Sequence, residues 1–286
     1  MKCHRHARLI LSSLRFSAPK PILLPLVRSF TTSHPCRADT HFGYTTVPEE
    51  EKEEKVREVF EKVADTYDVM NDAMSGGAHR AWKDALVRAA APQPHYKCLD
   101  VAGGTGDIAF RLQTHMRNIN TDCEMVTVCD INKEMLRVGQ NRAVERGTSA
   151  GFTWVEGNAE QLEFADESFD LYTIAYGIRN CTHIDRVLTE AYRVLKPGGR
   201  FMCLEFSEVS NPVLSKVYDT YSMELIPVMG QLIAGDFESY KYLVESIRKF
   251  PNQETFAEMI ADAGFSVVEY KNLTFGVTAV HSGYKL

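Results

Sequence analysis

A glycine-rich stretch, Lys97–Ala109, constrains the fold of this chain more than any other feature. Its first residues are mostly apolar and predict a short buried strand, and the residues after Gly106 repeat with the period of a helix. Glycine adopts backbone conformations that other residues avoid and lets a ligand approach the main chain closely. A strand, a glycine turn and a helix in this order indicate the cofactor crevice of a doubly wound α/β sheet.

Two acidic residues in this stretch restrict the kind of cofactor. The spacing Gly104-x-Gly106-x-x-Ala109 fits the loose dinucleotide pattern. However, Asp100 ends the strand, and Asp107 begins the helix where a phosphate would need bare N–H groups. The alternative is that Asp107 only complements the helix dipole. Together the acids favour a cofactor with cationic groups and no phosphate, such as S-adenosylmethionine.

Polar residues follow the next two predicted strands. Asp130 ends the second strand, 24 residues beyond Gly106, where an acid can accept hydrogen bonds from a ribose diol. Asn158 follows the third strand and is suited to bind an adenine edge; the alternative is an ordinary turn asparagine. These residues extend the glycine turn into a predicted nucleoside site.

Apolar runs and helical periods alternate through most of the chain. This alternation is typical of a parallel α/β sheet, and the last two apolar runs suggest an antiparallel hairpin at its edge. The predicted fold is therefore α/β, a mostly parallel, Rossmann-like, seven-stranded sheet with helices on both faces. The strands predicted after the first are Met125–Asp130, Phe152–Glu156, Phe169–Tyr176, Arg200–Phe206, Phe265–Tyr270 and Val277–Tyr284.

Two helical segments lie outside this alternation. One precedes the sheet, has Phe60 and Trp82 among its apolar positions, and is predicted to cover the crevice. The other is an apolar insertion after the fifth strand, Leu214–Ile233, which is predicted to form a lid. The residues of the insertion predicted to share one helical face are Val217, Tyr218, Tyr221, Leu225, Met229 and Leu232.

The first 38 residues differ from the rest in charge. They contain seven Lys or Arg residues and no acid, which is typical of a mitochondrial transit peptide; the alternative is a disordered basic tail. Residues 1–40 are therefore predicted as a leader, and residues 50–286 as the folded domain. Without those seven cations, 25 basic residues face 38 acidic ones, a net charge near −13 that argues against unaided nucleic-acid binding.

The cysteines and histidines do not form a metal-binding pattern. None of the seven cysteines belongs to a Cys-x-x-Cys motif, and the nine histidines show no ligand spacing. We therefore predict free thiols in a reducing compartment and no structural metal. No apolar run in the sequence approaches the roughly 20 residues of a membrane span.

Several short motifs resemble one enzyme family. The most specific are Tyr-Asp-Val-Met-Asn-Asp at Tyr67–Asp72 and Tyr-Gly-Ile-Arg-Asn at Tyr176–Asn180, whereas the glycine turn is shared more widely. The chain resembles the class I methyltransferases, and within them the ubiquinone/menaquinone biosynthesis C-methyltransferases, from about Val56 to Leu286.

The resemblance implies S-adenosylmethionine-dependent methylation of a ring carbon of 2-methoxy-6-polyprenyl-1,4-benzoquinol, a step of ubiquinone biosynthesis. Together with the leader, it implies a mitochondrial protein that lies peripherally on the matrix side of the inner membrane. The implied partners are that membrane surface and other ubiquinone-biosynthesis proteins in a multi-enzyme complex. A homodimer is an open alternative, and no nucleic acid is implied.

The resemblance also assigns site residues for the cofactor. Thr105 lies in the glycine turn, Asp130 is assigned to the ribose, and Asn158 with Ala159 is assigned to the adenine. The remaining cofactor-binding candidates are Asp100, Gly104 and Gly106.

Arg179 is the first catalytic candidate, because it follows the fourth strand at the edge of the crevice. It is suited to stabilise a developing phenolate or to hold a water that takes the ring proton. A guanidinium is itself a poor base, because its pKa lies above about 12. The alternative for Arg179 is a salt bridge to a nearby acid. Tyr67, Asn71 and His79 on the covering segment are second-line candidates.

Two other classes of function remain open from the sequence. An NAD-dependent oxidoreductase would place a pyrophosphate beside Asp107, which the charge of that residue opposes. A non-catalytic scaffold for other quinone-pathway enzymes would keep the same cofactor site, so the site alone does not exclude it. Transfer of a labelled methyl group to a short-tailed quinol separates these classes from a methyltransferase.

Overall fold

The structure is a computed structural model that describes residues 38–63 and 67–286, with the side chains of Tyr67 and Asp68 left out. Almost all of the predicted leader, residues 1–40, lies outside the described residues. The first described elements are two short antiparallel strands, β1 (Asp39–Phe42) and β2 (Thr45–Pro48). This hairpin was not expected from the sequence, because its strands, Asp-Thr-His-Phe and Thr-Thr-Val-Pro, contain no continuous apolar run.

A seven-stranded sheet forms the centre of the fold, with the strand order β5-β4-β3-β6-β7-β9-β8. Pairing is parallel from β5 to β7, and β9 pairs antiparallel with both β7 and β8. The predicted mostly parallel sheet with an antiparallel edge hairpin is therefore confirmed. Its strands are β3 (Cys98–Val101), β4 (Val126–Asp130), β5 (Phe152–Glu156), β6 (Phe169–Ala175), β7 (Leu195–Phe206), β8 (Ser266–Leu273) and β9 (Thr278–Tyr284).

The strand order reverses next to β3, because the chain continues to β4 on one side and later places β6 on the other. In an open α/β sheet, ligands bind beyond the carboxyl ends of the strands at such a reversal. The glycine turn follows β3 directly, so the fold places it at this point. The crevice that the sequence predicted is therefore present at the carboxyl ends of β3 and β6.

Ten α-helices surround the sheet within the described residues. They are α1 (Glu49–Val63), α2 (Tyr67–Ser75), α3 (Ala78–Ala90), α4 (Asp107–Ile119), α5 (Lys133–Glu145), α6 (Ile184–Val194), α7 (Pro212–Thr220), α8 (Ile226–Ala234), α9 (Phe237–Lys249) and α10 (Gln253–Asp262). One buried cluster packs α3, α4 and α5 on one face of the sheet, with Leu86 and Leu112 fully buried. A second packs α6 and α10 on the other face, with Leu188 and Phe256 fully buried. The predicted helices on both faces are thus confirmed.

A third buried cluster joins the N-terminal helices to the insertion. Val63 and Met70 from α1 and α2 contact Ile226, Tyr240 and Val244 from α8 and α9. We call α1, α2, α7, α8 and α9 together the helical cap. Because the predicted cover and the predicted lid share this core, they form one layer rather than two separate flaps.

The insertion presents a different face to the protein from the one predicted. Tyr218, Tyr221 and Met229 point inward, whereas Val217 and Leu225 are exposed, as is Leu232. A π-helical turn, Tyr221–Leu225, separates α7 from α8. Its hydrogen bonds span one residue more than those of an α-helix, so the regular helical period is interrupted between α7 and α8. The single predicted stripe is therefore wrong at Val217, Leu225 and Leu232 and correct at Tyr218, Tyr221 and Met229.

Candidate active site

A cleft lies at the carboxyl ends of β3, β4 and β6, beneath α1; we call it the outer cleft. Most of the residues predicted to bind the cofactor line it, and Gly106 is not among its described lining residues. The predicted residues that line it are Asp100, Gly104, Thr105, Asp130, Asn158 and Ala159. The fold thus brings together positions that are up to 59 residues apart in the chain.

The glycine turn takes its shape from backbone conformations that side chains resist. Gly104 has a φ of +54°, and Ala102 just before the turn has a φ of +49°. Gly106 also has a positive φ, and a Cβ atom there would lie 2.6 Å from Trp154. Gly104 therefore shapes the cleft itself, whereas Gly106 permits the close packing of α4 against β5.

Asp130 is oriented by hydrogen bonds from the main chain of the protein. Its Oδ2 accepts a hydrogen bond from the Gly104 N–H at 2.8 Å, and its Oδ1 accepts one from the Asn132 N–H at 2.8 Å. Burial raises the pKa of Asp130 to about 6, although these backbone donors oppose the rise. The carboxylate is thus oriented in the cleft and retains lone pairs that can accept hydrogen bonds from a diol.

Asp100 is the second carboxylate of the outer cleft, and it is 1% exposed. Its Oδ1 accepts a hydrogen bond from the Thr173 hydroxyl at 2.8 Å, while Oδ2 is buried and has no partner among the described residues. Burial raises the pKa of Asp100 to about 7, although the Thr173 hydroxyl and the Ala109 N–H oppose the rise. An orphaned carboxylate oxygen of this kind is a place where a cationic ligand group would be stabilised.

Asp107 does not contribute a free negative charge to the cleft. It accepts a hydrogen bond from the Lys83 ammonium at 2.7 Å and lies 3.3 Å from the Arg111 guanidinium. Burial alone would raise the pKa of Asp107, but the two cations outweigh burial and lower the pKa overall. The preference for a cofactor without phosphate therefore depends on Asp100 and Asp130.

The remaining predicted cofactor residues already make contacts within the protein. The Thr105 hydroxyl accepts a hydrogen bond from Arg142 at 3.1 Å. The Asn158 side chain accepts one from the Glu160 N–H at 2.8 Å and donates one to Glu53 at 3.0 Å. Asn158 therefore acts as a turn asparagine, which was the alternative to adenine binding. Its hydrogen bond to Glu53 also connects this side of the cleft to α1.

The predicted cover over the crevice is present, and α1 forms part of it. Glu53, Val56 and Phe60 line the outer cleft, and the buried Lys52 donates a hydrogen bond to the Cys181 carbonyl at 3.0 Å. The sequence predicted that this segment covers the crevice, and it did not predict the polar contacts of Lys52 and Glu53. α1 closes the outer cleft through these polar and apolar contacts.

A second cavity adjoins the outer cleft beneath the helical cap; we call it the inner cavity. The two share Phe60, Lys83 and Tyr176 as lining residues. The inner cavity is lined mostly by apolar and aromatic side chains. A ligand group in the outer cleft is therefore separated from one in the inner cavity by a single layer of side chains.

Arg179 lines the inner cavity and is 5% exposed. Its Nη1 lies 3.0 and 3.2 Å from the two carboxylate oxygens of Glu205, and its Nε donates to the Ser246 hydroxyl at 3.3 Å. Burial raises the pKa of Glu205, and the Arg179 guanidinium opposes the rise. The salt bridge that was the alternative for Arg179 is thus present, with Nη2 making no hydrogen bond among the described residues.

Two of the second-line candidates also line the inner cavity. Asn71 lies on α2 and His79 on α3. The His79 Nε2 lies 2.8 Å from Asp72 Oδ1. Tyr67 begins α2, but its side chain lies outside what the structure describes.

A Tyr-x-x-x-Lys spacing, which some oxidoreductases use for hydride chemistry, occurs at Tyr192 and Lys196. Tyr192 packs edge-on against Phe265, and Lys196 binds both carboxylate oxygens of Asp170 at 2.8 Å. Neither residue lines the outer cleft or the inner cavity. The spacing therefore does not provide a catalytic pair beside the cofactor position.

The sequence is similar to curated proteins over most of its length. It is 56% identical over 276 residues to the mitochondrial 2-methoxy-6-polyprenyl-1,4-benzoquinol methylase of Danio rerio, which covers 86% of this chain and 84% of that protein. The protein of the same name from Homo sapiens is 54% identical over 278 residues, with 87% and 85% covered. The one from Xenopus laevis is 51% identical, with 98% and 99% covered.

Solved structures with low sequence identity share the fold. A SAM-dependent methyltransferase from Thermotoga maritima has a TM-score of 0.56 at 19% identity and covers 80% of this chain and 99% of its own. One from Aquifex aeolicus has a TM-score of 0.51 at 13% identity and covers 71% and 89%. The model of the ubiE/COQ5 methyltransferase family matches residues 48–285. With this match over nearly the whole described chain, the protein belongs to the ubiE/COQ5 methyltransferase family.

Proposed function

We propose that this enzyme transfers a methyl group from S-adenosylmethionine to a ring carbon of 2-methoxy-6-polyprenyl-1,4-benzoquinol, a step of ubiquinone biosynthesis. The observation that carries the proposal is the pair of adjoining cavities, one with the carboxylates Asp100 and Asp130 in its lining and the other lined mostly by apolar and aromatic side chains. The name shared by the curated relatives supports the choice of substrate. The family assignment supports methyl transfer rather than hydride transfer.

The outer cleft fits S-adenosylmethionine by the chemistry of its side chains. Asp100, with an orphaned carboxylate oxygen, suits a cationic group, and Asp130 suits the ribose diol. Gly104 brings the main chain to the ligand without a side chain between them. When bound, the cofactor supplies an electrophilic methyl group. The chain's own contribution is to orient this group toward the cavity behind Phe60, Lys83 and Tyr176.

The inner cavity suits an aromatic ring with a hydrocarbon tail. Trp82 and Phe206 form one edge-to-face aromatic pair at this cavity, and Tyr218 and Tyr221 line it from the helical cap. Fixing the ring carbon behind the methyl group supplies much of the rate increase, because effective molarities for well-aligned groups reach about 10⁵ M or more. Water exclusion by the cap protects the reactive quinol during the reaction.

A direct test uses S-adenosylmethionine with a labelled methyl group and a short-tailed quinol analogue. We expect the label to appear on the ring carbon, identified by mass spectrometry of the product. Binding of the cofactor without any transfer to the quinol would instead support the scaffold function.

The first prediction concerns Asp130. Hydrogen bonds that involve a charged group contribute about 1.5–3 kcal/mol, so Asp130→Ala should weaken S-adenosylmethionine binding by about 10- to 150-fold. Isothermal titration calorimetry measures the change. Asp130→Asn is the matched control, because it keeps an oxygen that can accept the Gly104 N–H. Unchanged affinity in a folded Asp130→Ala protein would remove Asp130 from the cofactor site.

We also propose that the protein acts on the matrix side of the mitochondrial inner membrane. The basic, acid-free start of the chain and the names of the relatives support this location. No helix of the described residues is long and apolar enough to cross a membrane. Import into isolated mitochondria, followed by protease protection and carbonate extraction, tests the location.

The proposed contact with the membrane is the exposed side of α7 and α8, which we call the outer face. The opposite side of the same segment lines the inner cavity through Tyr218, Tyr221 and Ile226. A polyprenyl tail resists transfer to water by about 0.8 kcal/mol per CH₂, so it must pass from lipid to the cavity along a short path. The exposed apolar residues of the outer face are Val213, Leu214, Val217, Met223, Leu225, Val228, Leu232 and Ile233.

The second prediction concerns this face. Val217→Ser combined with Leu232→Ser should weaken binding to vesicles of phosphatidylcholine, phosphatidylethanolamine and cardiolipin. Both residues are exposed, at 65% and 79%, so the fold should tolerate the change. Losing two apolar side chains from a lipid contact costs roughly 2 kcal/mol or more, about 30-fold in affinity. Flotation of the protein with the vesicles gives the measurement.

Val144→Ser on α5 is the matched control, because Val144 is 68% exposed on another helix. Equal vesicle binding by the double variant and this control would show that the outer face does not contact lipid. Loss of self-association or of co-purification with other ubiquinone-biosynthesis enzymes would assign the face to a homodimer or to a multi-enzyme complex.

A further inference from the structure

Methylation of a quinol ring releases one proton for each methyl group, because a C–CH₃ bond replaces a ring C–H bond. The proton needs an acceptor that lies at the inner cavity and carries a free lone pair in its unprotonated state. The described lining of this cavity offers tyrosines, two paired cations and one histidine as ionisable side chains.

The tyrosines and the cations do not meet this requirement. The tyrosines of the lining are Tyr176, Tyr218, Tyr221, Tyr240 and Tyr242. A tyrosine hydroxyl ordinarily has a pKa of about 10 and is protonated near neutral pH. Burial raises the pKa of Tyr218 to about 12 and also raises the pKa of Tyr221 and Tyr242. Lys83 and Arg179 are cations held in ion pairs, with N–O distances of 2.7 and 3.0 Å. Neither of these cations carries a lone pair that can take a proton.

His79 does meet the requirement by its hydrogen bonds. Its Nε2 lies 2.8 Å from Asp72 Oδ1. An ionised carboxylate only accepts hydrogen bonds, so Nε2 carries the hydrogen and Nδ1 carries the lone pair. Nδ1 is buried and has no hydrogen-bond partner among the described residues, and the His79 ring, 7% exposed, lines the inner cavity.

The charges around His79 keep the imidazole neutral and Asp72 ionised. Burial lowers the pKa of His79, and the positive charge of Lys83 lowers it further. The hydrogen bond to Asp72 and the negative charge of Asp107 on α4 act in the opposite direction, but the pKa is lowered overall. Arg80 binds both oxygens of Asp72, at 2.8 and 2.6 Å, and with His79 holds the pKa of that carboxyl well below its usual range. The pair therefore consists of a neutral imidazole oriented by a fixed carboxylate.

We propose that His79 Nδ1 accepts the proton that leaves the methylated ring carbon, and that Asp72 positions the imidazole. The inference rests on the function proposed above. The new C–C bond forms from a ring electron pair as the methyl–sulfur bond breaks. The C–H bond then breaks, its electron pair restores the aromatic ring, and the proton passes to Nδ1. Asp72 stabilises the resulting imidazolium and is not itself protonated.

His79→Gln with a quinol that carries deuterium at the methylated carbon tests the proposal. A general base contributes about 10²–10⁴-fold, so kcat should fall by that range, and slow C–H cleavage should produce a primary isotope effect larger than in the wild type. Cofactor affinity by calorimetry should stay unchanged, because His79 does not line the outer cleft. A kcat within a few-fold of the wild type, or a large loss without an isotope effect, would overturn the proposal.

The matched control is His183→Gln, because His183 also binds a carboxylate, with Nδ1 2.7 Å from Glu160, but lies outside the inner cavity. It should show no increased isotope effect. If the wild-type protein transfers no methyl group to any quinol, the proposed function fails. If it transfers methyl groups and the two histidine variants behave alike, the assignment of His79 alone fails.

Asp72→Asn tests the positioning residue. In the wild type, kcat should fall on the acid side at a pH below the ordinary histidine value of 6.5, because the base must be unprotonated. Asp72 opposes the lowering of the His79 pKa, so Asp72→Asn should move this acid limb to still lower pH while reducing the plateau. A purely structural role would lower the plateau and leave the limb in place.

Discussion

Arg179→Ala is expected to lower the free energy of unfolding by about 3–5 kcal/mol, because it leaves a buried carboxylate without its counter-ion. The Arg179 and Glu205 side chains are 4% and 1% exposed, so water cannot replace the lost partner. The change also removes the hydrogen bond to the Ser246 hydroxyl. Urea denaturation of the cofactor-free protein, followed by circular dichroism, measures the loss.

The same substitution should lower kcat for methyl transfer if Arg179 stabilises charge on the quinol. Arg179 is not among the described residues of the outer cleft, so S-adenosylmethionine affinity should change little. A loss of stability alone does not separate the two roles, because a loosened helical cap would also slow the reaction. A second variant is therefore needed that removes the charge without leaving an orphaned partner.

Arg179→Met combined with Glu205→Gln is that variant. Replacing a buried ion pair by uncharged side chains of similar volume is often neutral or stabilising, so most of the lost stability should return. If Arg179 acts on the substrate, kcat should remain low in this folded protein. Recovery of both stability and kcat would show that Arg179 acts only through its salt bridge to Glu205 and does not act on the substrate.

The partner of Arg179 shows why the site could be predicted only in part. Glu205 lies in the fifth predicted strand, Arg200–Phe206, but nothing in its spacing connects it to Arg179, 26 residues earlier. The register of β6 and β7 creates that contact by placing Ala175 beside Leu204. Pairing between strands is a long-range property, and local patterns do not specify which buried polar groups meet.

The parts that local patterns do specify were predicted correctly. All seven strands of the sheet overlap the predicted runs, although β7 begins five residues earlier and β8 ends three residues later than predicted. The parallel strands are the most readily recognised, because a strand buried on both faces needs a continuous apolar run. The outer cleft followed, since Asp100 lies one residue before the end of β3, Asp130 ends the neighbouring β4, and the carboxyl ends of these strands meet at one edge of the sheet. The carboxyl end of a predicted parallel strand can be located in the sequence, and it places the residues there at one known edge of the sheet.

The helical cap was predicted less well for a physical reason. Its two halves pack on each other and over the cavities, and their inward faces depend on local irregularities such as the π-helical turn Tyr221–Leu225. Similarly, His79 was a candidate only through the resemblance of its motif. Its bond to Asp72 joins the end of α2 to the start of α3, and the turn between them, at Gly76 and Gly77, sets that geometry.

Asp100→Asn is expected to stabilise the cofactor-free protein at pH 8 and to weaken S-adenosylmethionine binding. Burial raises the pKa of Asp100 from an ordinary value of 3.8 to about 7. The shift of roughly three units corresponds to about 4 kcal/mol of destabilisation of the folded state by the ionised carboxylate. Asparagine keeps an acceptor for the Thr173 hydroxyl and places an uncharged amide where Oδ2 has no partner.

The sign of the pH dependence follows from the raised pKa. Above about pH 7 the carboxylate is ionised in both states, and its full cost falls on the folded protein; as the pH falls from 7 toward 4, proton uptake removes that cost. The advantage of Asp100→Asn over the wild type should therefore be large at pH 8 and nearly absent at pH 4. Asp262→Asn, an exposed change on the last turn of α10, should show no such difference.

Cofactor addition provides the opposing half of this test. A cationic ligand group beside Asp100 would recover the electrostatic cost, so saturating S-adenosylmethionine should raise the melting temperature of the wild type more than that of Asp100→Asn. Parallel thermal melts at pH 5 and pH 8, with and without the cofactor, give both comparisons. If Asp100→Asn is less stable than the wild type at pH 8 without the cofactor, the buried carboxylate stabilises the fold. That result would contradict the prediction that Asp100 lowers stability until a cationic ligand group binds beside it.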